Sequence, residues 1–189
     1  LKIFMQYKVS DGTLQTTSFS REEIDVLGKD NPPTDRNEDG DEAYTTDEDV
    51  NLIIPAAIGK LANASDVDTP HADLLIVDPQ TPIIDETGIS AFAQSLLGGI
   101  SVIVIDGTFG TTTDADHSVS YNIVTAQGTA NLTLDDKGIE TLIVNNAFIG
   151  LNTGDVLKIF MQYKVSDGTL QTTNFSREEI DVLGKDNPP

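Results

Sequence analysis

Residues 1–33, LKIFMQYKVSDGTLQTTSFSREEIDVLGKDNPP, return at 157–189 with one difference, Ser18 against Asn174, so that 32 of 33 positions match at an offset of 156. Near-identity over this length marks a recent duplication, and its simplest source is a tandem array of units with that period. The chain then divides into the closing hairpin and linker of a preceding repeat, residues 1–33, and one complete repeat, residues 34–189. It opens on Leu1 rather than Met, as a piece of a longer protein would.

The repeat also sorts the charge. The chain has 31 Asp and Glu against 11 Lys and Arg, a formal net charge of −20. Each 33-residue copy carries five acids and four bases, which leaves 21 acids and three bases for the 123 residues between the copies. Eight of those acids fall within the fifteen residues Asp35–Asp49, directly after Pro32-Pro33. Tandem prolines forbid helix and interrupt strand pairing, which places the junction between repeats here. A chain this negative repels phosphate backbones and anionic lipid, so nucleic acid is not an expected partner. Membrane insertion is not expected either, because no apolar run approaches the roughly 18 residues of a span. Cations are the expected partners. The absence of Cys excludes disulfides and thiolate chemistry.

The repeated segment reads as a β-hairpin. Leu157, Ile159, Met161, Tyr163 and Val165 alternate with Lys158, Phe160, Gln162, Lys164 and Ser166, the period-2 pattern of a strand with one apolar face. Ser166-Asp167-Gly168-Thr169 supplies the turn, and a second strand runs from Leu170 to Leu183, with a phase slip near Phe175 that suggests a bulge. The alternative for this arm is a short helix capped by Ser176-Arg177-Glu178-Glu179, a capping-box spacing. Other strands are expected at 50–54, 73–77, 100–105, 118–125, 130–134 and 140–149, and short helices at Pro55–Ala64 and Ile89–Leu97. Many short strands bounded by turn residues, with almost no sustained helical period, predict an all-β fold: an antiparallel sandwich with one or two short helices.

Two readings compete for the acidic stretch. Asp35-Arg36-Asn37-Glu38-Asp39-Gly40-Asp41 matches the first half of a calcium loop, in which alternate side chains converge on one ion and Gly makes the sharp turn. Position twelve of that loop is Thr46 rather than Glu, and no helix can enter from Pro32-Pro33, so an EF-hand is not expected. A free-standing loop completed by Asp47, Glu48 or Asp49 is one reading; a solvated charged linker is the other. Asp66-Val67-Asp68 offers a second pair of carboxylates at i and i+2. Asp114-Ala115-Asp116-His117 has the same form with an imidazole beside it, but His71 and His117 are the two histidines of the chain and no motif joins them, so zinc is not expected. Signatures of catalysis are missing, including H-E-x-x-H, a Gly-rich phosphate loop, G-x-S-x-G and a cysteine nucleophile, and no enzyme activity is expected.

Tyr163-Lys164-Val165-Ser166-Asp167-Gly168-Thr169, then a strand, then Gly184-Lys185-Asp186-Asn187-Pro188-Pro189, resembles the closing hairpin and linker of the cadherin-like and VCBS-type repeats of giant bacterial surface adhesins. Thr46-Asp47-Glu48-Asp49 and Leu61-Ala62-Asn63-Ala64-Ser65-Asp66-Val67-Asp68 resemble the opening of such a repeat. Asp85-Glu86-Thr87-Gly88 and Gly107-Thr108-Phe109-Gly110 are similar to modules of RTX-type adhesins exported by type I secretion. The resemblance implies an Ig-like, cadherin-like β-sandwich. The period exceeds the roughly 100 residues of a simple Ig-like domain, so extra strands or an insertion are expected between about 80 and 150. It implies an extracellular stalk at the bacterial cell surface, serving cell adhesion or biofilm formation, with neighbouring repeats of the same chain as partners and Ca²⁺ stiffening the junctions. By position its ligands are Asp30, Asn31, Asp47, Glu48, Asp49, Asp66 and Asp68, to which the acidic insert adds Asp35, Asn37, Asp39 and Asp41.

A different function for the same sandwich is recognition of a glycan or a partner protein through loops around 85–100 and 106–118. The fragment's boundaries carry one more expectation. Residues 1–33 match the hairpin that closes the sandwich, so they can take the equivalent slot in another chain and give a strand-exchanged homo-oligomer.

Overall fold

The computed structural model describes residues 1–36, 42–106 and 118–186. The chain forms two compact units, Leu1–Asp30 and Asn31–Pro189.

The first unit is a hairpin of β1 (Lys2–Tyr7) and β2 (Ser20–Asp25), antiparallel, with Ile3 opposite Ile24 and Tyr7 opposite Ser20. Asp11 makes the reversal. Its Oδ1 accepts from the amides of Thr13 and Leu14 at 2.9 and 2.8 Å, an Asx turn that leaves Gly12 at a φ of 96°. Every residue of this hairpin is exposed.

The second unit is an all-β sandwich. In chain order it contains β3 (Thr34–Asp35), β4 (Glu42–Asp47), β5 (Leu52–Ile54), β6 (Ala64–Ser65), β7 (Leu75–Val77), β8 (Ile83–Asp85), α1 (Ala91–Leu97), β9 (Ser101–Asp106), β10 (Ser118–Val124), β11 (Thr129–Asp135), β12 (Glu140–Ile143), β13 (Val156–Ser166) and β14 (Ser176–Leu183). One sheet has the order β5-β12-β11-β10-β9, antiparallel throughout. The other has the order β4-β14-β13-β7, with β8 also paired to β13. The alternation Ser118-Val119-Ser120-Tyr121-Asn122-Ile123 buries every second side chain, as does Ala130, Leu132 and Leu134 on the neighbouring strand. From the other sheet Leu157, Ile159, Met161, Tyr163 and Val165 on β13 and Ile180 and Val182 on β14 complete one core. Burying such side chains between two sheets stabilises the fold by about 1.5–3 kcal/mol for each large aliphatic or aromatic group.

Four details depart from the sequence expectation. β4 runs parallel to β14, Glu42 beside Glu178 through Asp47 beside Leu183, in a sandwich expected to be antiparallel. The segment expected as a helix at Pro55–Ala64 forms turns over 56–63 and enters β6 at Ala64: Gly59 lies so close to Gly138 that a Cβ there would sit 2.4 Å from the Gly138 carbonyl, and Tyr44 donates to the Ile58 carbonyl. The closing hairpin's second arm becomes a strand only from Ser176. Before it, Asp167 repeats the Asx turn of Asp11, with Thr169 and Leu170 as donors, and Ser166 bridges Gln171. The strand expected over 140–149 stops at Ile143, where Val144–Ile149 turns through Asn145 and Asn146, both at positive φ. The helix expected at Ile89–Leu97 forms over Ala91–Leu97, capped by Ser90, whose Oγ accepts from the Ala93 amide, and ended at Gly98.

Candidate functional site

The residues expected to hold a cation fall into separate places. Asn31 opens the second unit and reaches the 66–68 loop: its backbone amide donates to Asp68 Oδ2 at 3.2 Å and its side-chain amide to the same oxygen at 2.9 Å. Three residues on, β3 pairs with β6, Thr34 opposite Ser65 and Asp35 opposite Ala64, with Thr34 Oγ1 donating to the Ser65 carbonyl. This pairing turns Asp35 inward, where it is buried. The 66–68 loop is itself ordered by Asp66, whose Oδ1 accepts from the amides of Asp68 and Thr69 at 2.7 and 2.8 Å. The other oxygen of that carboxylate, Oδ2, is buried with no hydrogen-bond donor among the described residues. A carboxylate oxygen withdrawn from water without a donor is costly to the fold, and a bound cation relieves that cost. The donorless Asp66 Oδ2 is therefore the oxygen of this loop that fits a hard cation, whereas Asp68 Oδ2 already accepts from both Asn31 N–H groups.

Asp47 and Asp49 stand elsewhere, at the end of β4. Both meet Lys185, at 2.8 and 3.0 Å, and all three side chains are substantially exposed. Such surface pairs contribute little stability, but they give those carboxylates a protein cation already. Glu48 points the other way. It is buried, and its Oε2 accepts from the Leu151 amide at 3.1 Å. Asp30 is exposed and ends the hairpin unit. Asn37, Asp39 and Asp41 of the acidic half-loop lie outside the described residues, as do Gly107–Gly110, Asp114, Asp116, His117 and Asn187. No set of three or more His, Cys, Asp or Glu side chains assembles into a metal-holding group among the described residues.

A second constellation has no counterpart among the sequence-derived candidates. Lys60, one of three basic residues between the two copies of the repeat, has no solvent exposure at all. Its ammonium donates to Glu140 Oε2 at 2.8 Å and to Glu178 Oε1 at 2.6 Å, and both glutamates are 1% exposed. Glu140 comes from β12 in one sheet and Glu178 from β14 in the other. The close approach of Gly59 to Gly138 sets Lys60 against the start of β12. Tyr163 completes the walls: its ring centroid lies 5.3 Å from the ammonium, and its hydroxyl donates to the Lys60 carbonyl at 3.1 Å.

The protonation of this cluster follows from its burial. Withdrawal from water, then the facing Glu140, push the Glu178 carboxyl up to about 9. Burial opposes ionisation of Glu140 as well, but the Lys60 ammonium outweighs it and holds Glu140 below its ordinary value. Burial would discharge Lys60, and the two glutamates reverse that and raise it. Glu140 and Glu178 each accept from the one ammonium through a single oxygen, and each has a second oxygen to satisfy. Treated as two carboxylates they would leave Glu140 Oε1 and Glu178 Oε2 buried without donors, so a proton on Glu178 satisfies the site. The sequence signal was present in the phase of the strands, since Glu178 alternates with Ile180 and Val182, and Glu140 with Leu142, on positions that face the core.

Comparison of this chain with protein families, with curated proteins and with solved structures returns no match.

Proposed function

We propose that this chain is a calcium-binding extender repeat of a large secreted bacterial adhesin, a spacer that holds a distal ligand-binding part away from the cell. The observation that carries the reading is the contact of Asn31 with Asp68 beside the buried, donorless Asp66 Oδ2. It ties the segment that follows the repeated hairpin to an acidic loop of the sandwich. An ion held there couples linker to sandwich, so that successive repeats move together as a rod instead of as beads. Two further features support the reading. The near-identical copies suit a module valued for length, which can be multiplied without tuning any one copy. The concentration of negative charge outside those copies repels itself until a cation neutralises it.

Thermal melts in calcium and in chelator test the proposal. Saturation at about 100 times Kd adds about 2.7 kcal/mol, a rise in Tm of about 5–10 °C for a domain of this size. Asp66→Asn is expected to remove most of that rise while leaving the melt in chelator nearly unchanged. A Tm indifferent to calcium in the parent chain sinks the mechanism.

A further inference from the structure

The cluster of Lys60, Glu140 and Glu178 holds an amine and two carboxyl groups in contact, sealed from water, at a place where the two sheets meet. We propose that Lys60 and Glu178 condense to an isopeptide bond that staples the turn segment after β5 covalently to β14, with Glu140 carrying the proton.

The geometry supplies the approach. With Lys60 Nζ 2.6 Å from Glu178 Oε1, the carboxyl carbon of Glu178 lies about 3–3.5 Å from the amine, the separation of a near-attack arrangement. The glutamate's terminal torsion is broad, so a modest rotation turns the face of the carboxyl toward Nζ. Glu140, 2.8 Å from the same nitrogen, is placed to take its proton. The protein thereby holds the three reacting groups together without the entropy loss of an encounter.

The step balances within the cluster. It starts from the Lys60 ammonium, the Glu140 carboxylate and the protonated carboxyl of Glu178. Glu140 takes one proton from Nζ, and the freed lone pair attacks the Glu178 carbonyl carbon to form the nitrogen–carbon bond. Glu140 gives its proton to the departing hydroxyl, whose carbon–oxygen bond breaks to release water, and recovers a proton from the nitrogen. The products are a neutral amide, one water and a protonated Glu140. Nothing is oxidised or reduced, and no outside reactant is consumed.

The environment favours the product. A buried ammonium and a buried carboxylate each lose their hydration, and their mutual attraction repays that loss only in part; the amide replaces both with neutral groups. Exclusion of water also protects the bond from hydrolysis. Protonation matters for the forward step, because a carboxylic acid is attacked where a carboxylate is not. A pair of carboxyl groups sharing one site keeps one of them protonated.

Intact-mass spectrometry of the folded, purified full chain tests the proposal. The expected mass is below that of the sequence by one water, and proteolysis is expected to yield a branched peptide joining the segment around Lys60 to that around Glu178. A chain that folds cooperatively yet keeps its full mass after prolonged incubation at neutral pH overturns the proposal. So does a lost water that maps to a succinimide at an Asp-Gly step such as Asp11-Gly12. Glu140→Gln and Lys60→Met are both expected to retain the full mass, and a Glu140→Gln chain that still loses water removes Glu140 from the mechanism. Should either variant fail to fold, the parent mass and its peptide map decide the question alone.

Discussion

Asp155 shows how much one carboxylate can organise in this fold. Its Oδ1 accepts from the Ser90 amide at 2.7 Å, and its Oδ2 from the Ser90 hydroxyl at 3.0 Å and the Asn152 amide at 2.8 Å. Ser90 caps α1, so this residue fixes both the start of the helix and the loop entering β13. Burial acts to raise its pKa, but the donors from Asn152 and Ser90 outweigh that and hold the carboxyl below its ordinary value. A depressed pKa in the folded state means that the stabilisation is complete above the unfolded value of about 3.9 and is lost as pH falls through the folded one. Asp155→Ala is therefore expected to cost about 1–3 kcal/mol at neutral pH, the penalty of stripping buried donors of their acceptor. Urea titrations of parent and variant should converge as pH drops below about 4; a difference that persists undiminished in strong acid would show that the ionised form contributes nothing.

The repeated hairpin occurs twice with nearly the same residues in two environments, which separates what is encoded locally from what packing adds. Pairing of β1 with β2 and of β13 with β14 has the same register, Ile3 opposite Ile24 and Ile159 opposite Ile180. Arg21 stacks on Phe4 and Arg177 on Phe160, at 3.9 and 3.8 Å. Burial differs: Tyr7 is 47% exposed and Tyr163 not at all. The glycines convert this contrast into a measurement. A Cβ on Gly184 would sit 2.2 Å from the Asn152 carbonyl, whereas one on Gly28 meets nothing within 4 Å. Gly184→Ala is expected to destabilise the sandwich by about 1–3 kcal/mol, and Gly28→Ala to change it by less than about 0.5 kcal/mol, both read from denaturant midpoints; equal effects would mean that the first hairpin is packed as its twin is. The same logic explains what the sequence made legible. Strands buried on one face, such as Ser118–Val124 and Thr129–Asp135, announce themselves by alternation. β4 does not, because it is acidic and joins its sheet through backbone pairing with β14. Of the candidate site, Asn31, Asp66 and Asp68 were legible as acidic-loop and linker residues; strand phase marks Glu140 and Glu178 as core-facing, but their meeting with Lys60 was not legible, since it depends on the closeness of Gly59 to Gly138 and on two strands from opposite sheets.

At the scale of the whole molecule, residues 1–189 hold two copies of the hairpin and one sandwich to receive them. If residues 1–27 enter the slot of 157–183 in a second copy, the displaced twin exposes the same apolar residues that the incoming hairpin buries. Exchange is then close to neutral in energy, and one hairpin per chain stays unburied, presenting Ile3, Phe4, Met5, Tyr7 and Phe19 to solvent. An exposed apolar patch of this kind drives association. Removal of residues 1–30 is accordingly expected to leave the Tm of the sandwich within about 2 °C, since every residue of its core belongs to the second unit. The same deletion is expected to abolish association: light scattering over a wide concentration range should give growing oligomers for the full chain and a monomer for residues 31–189. A full chain that stays monomeric throughout that range would show that its leading hairpin is already covered, and a large fall in Tm on deletion would identify its own sandwich as what covers it.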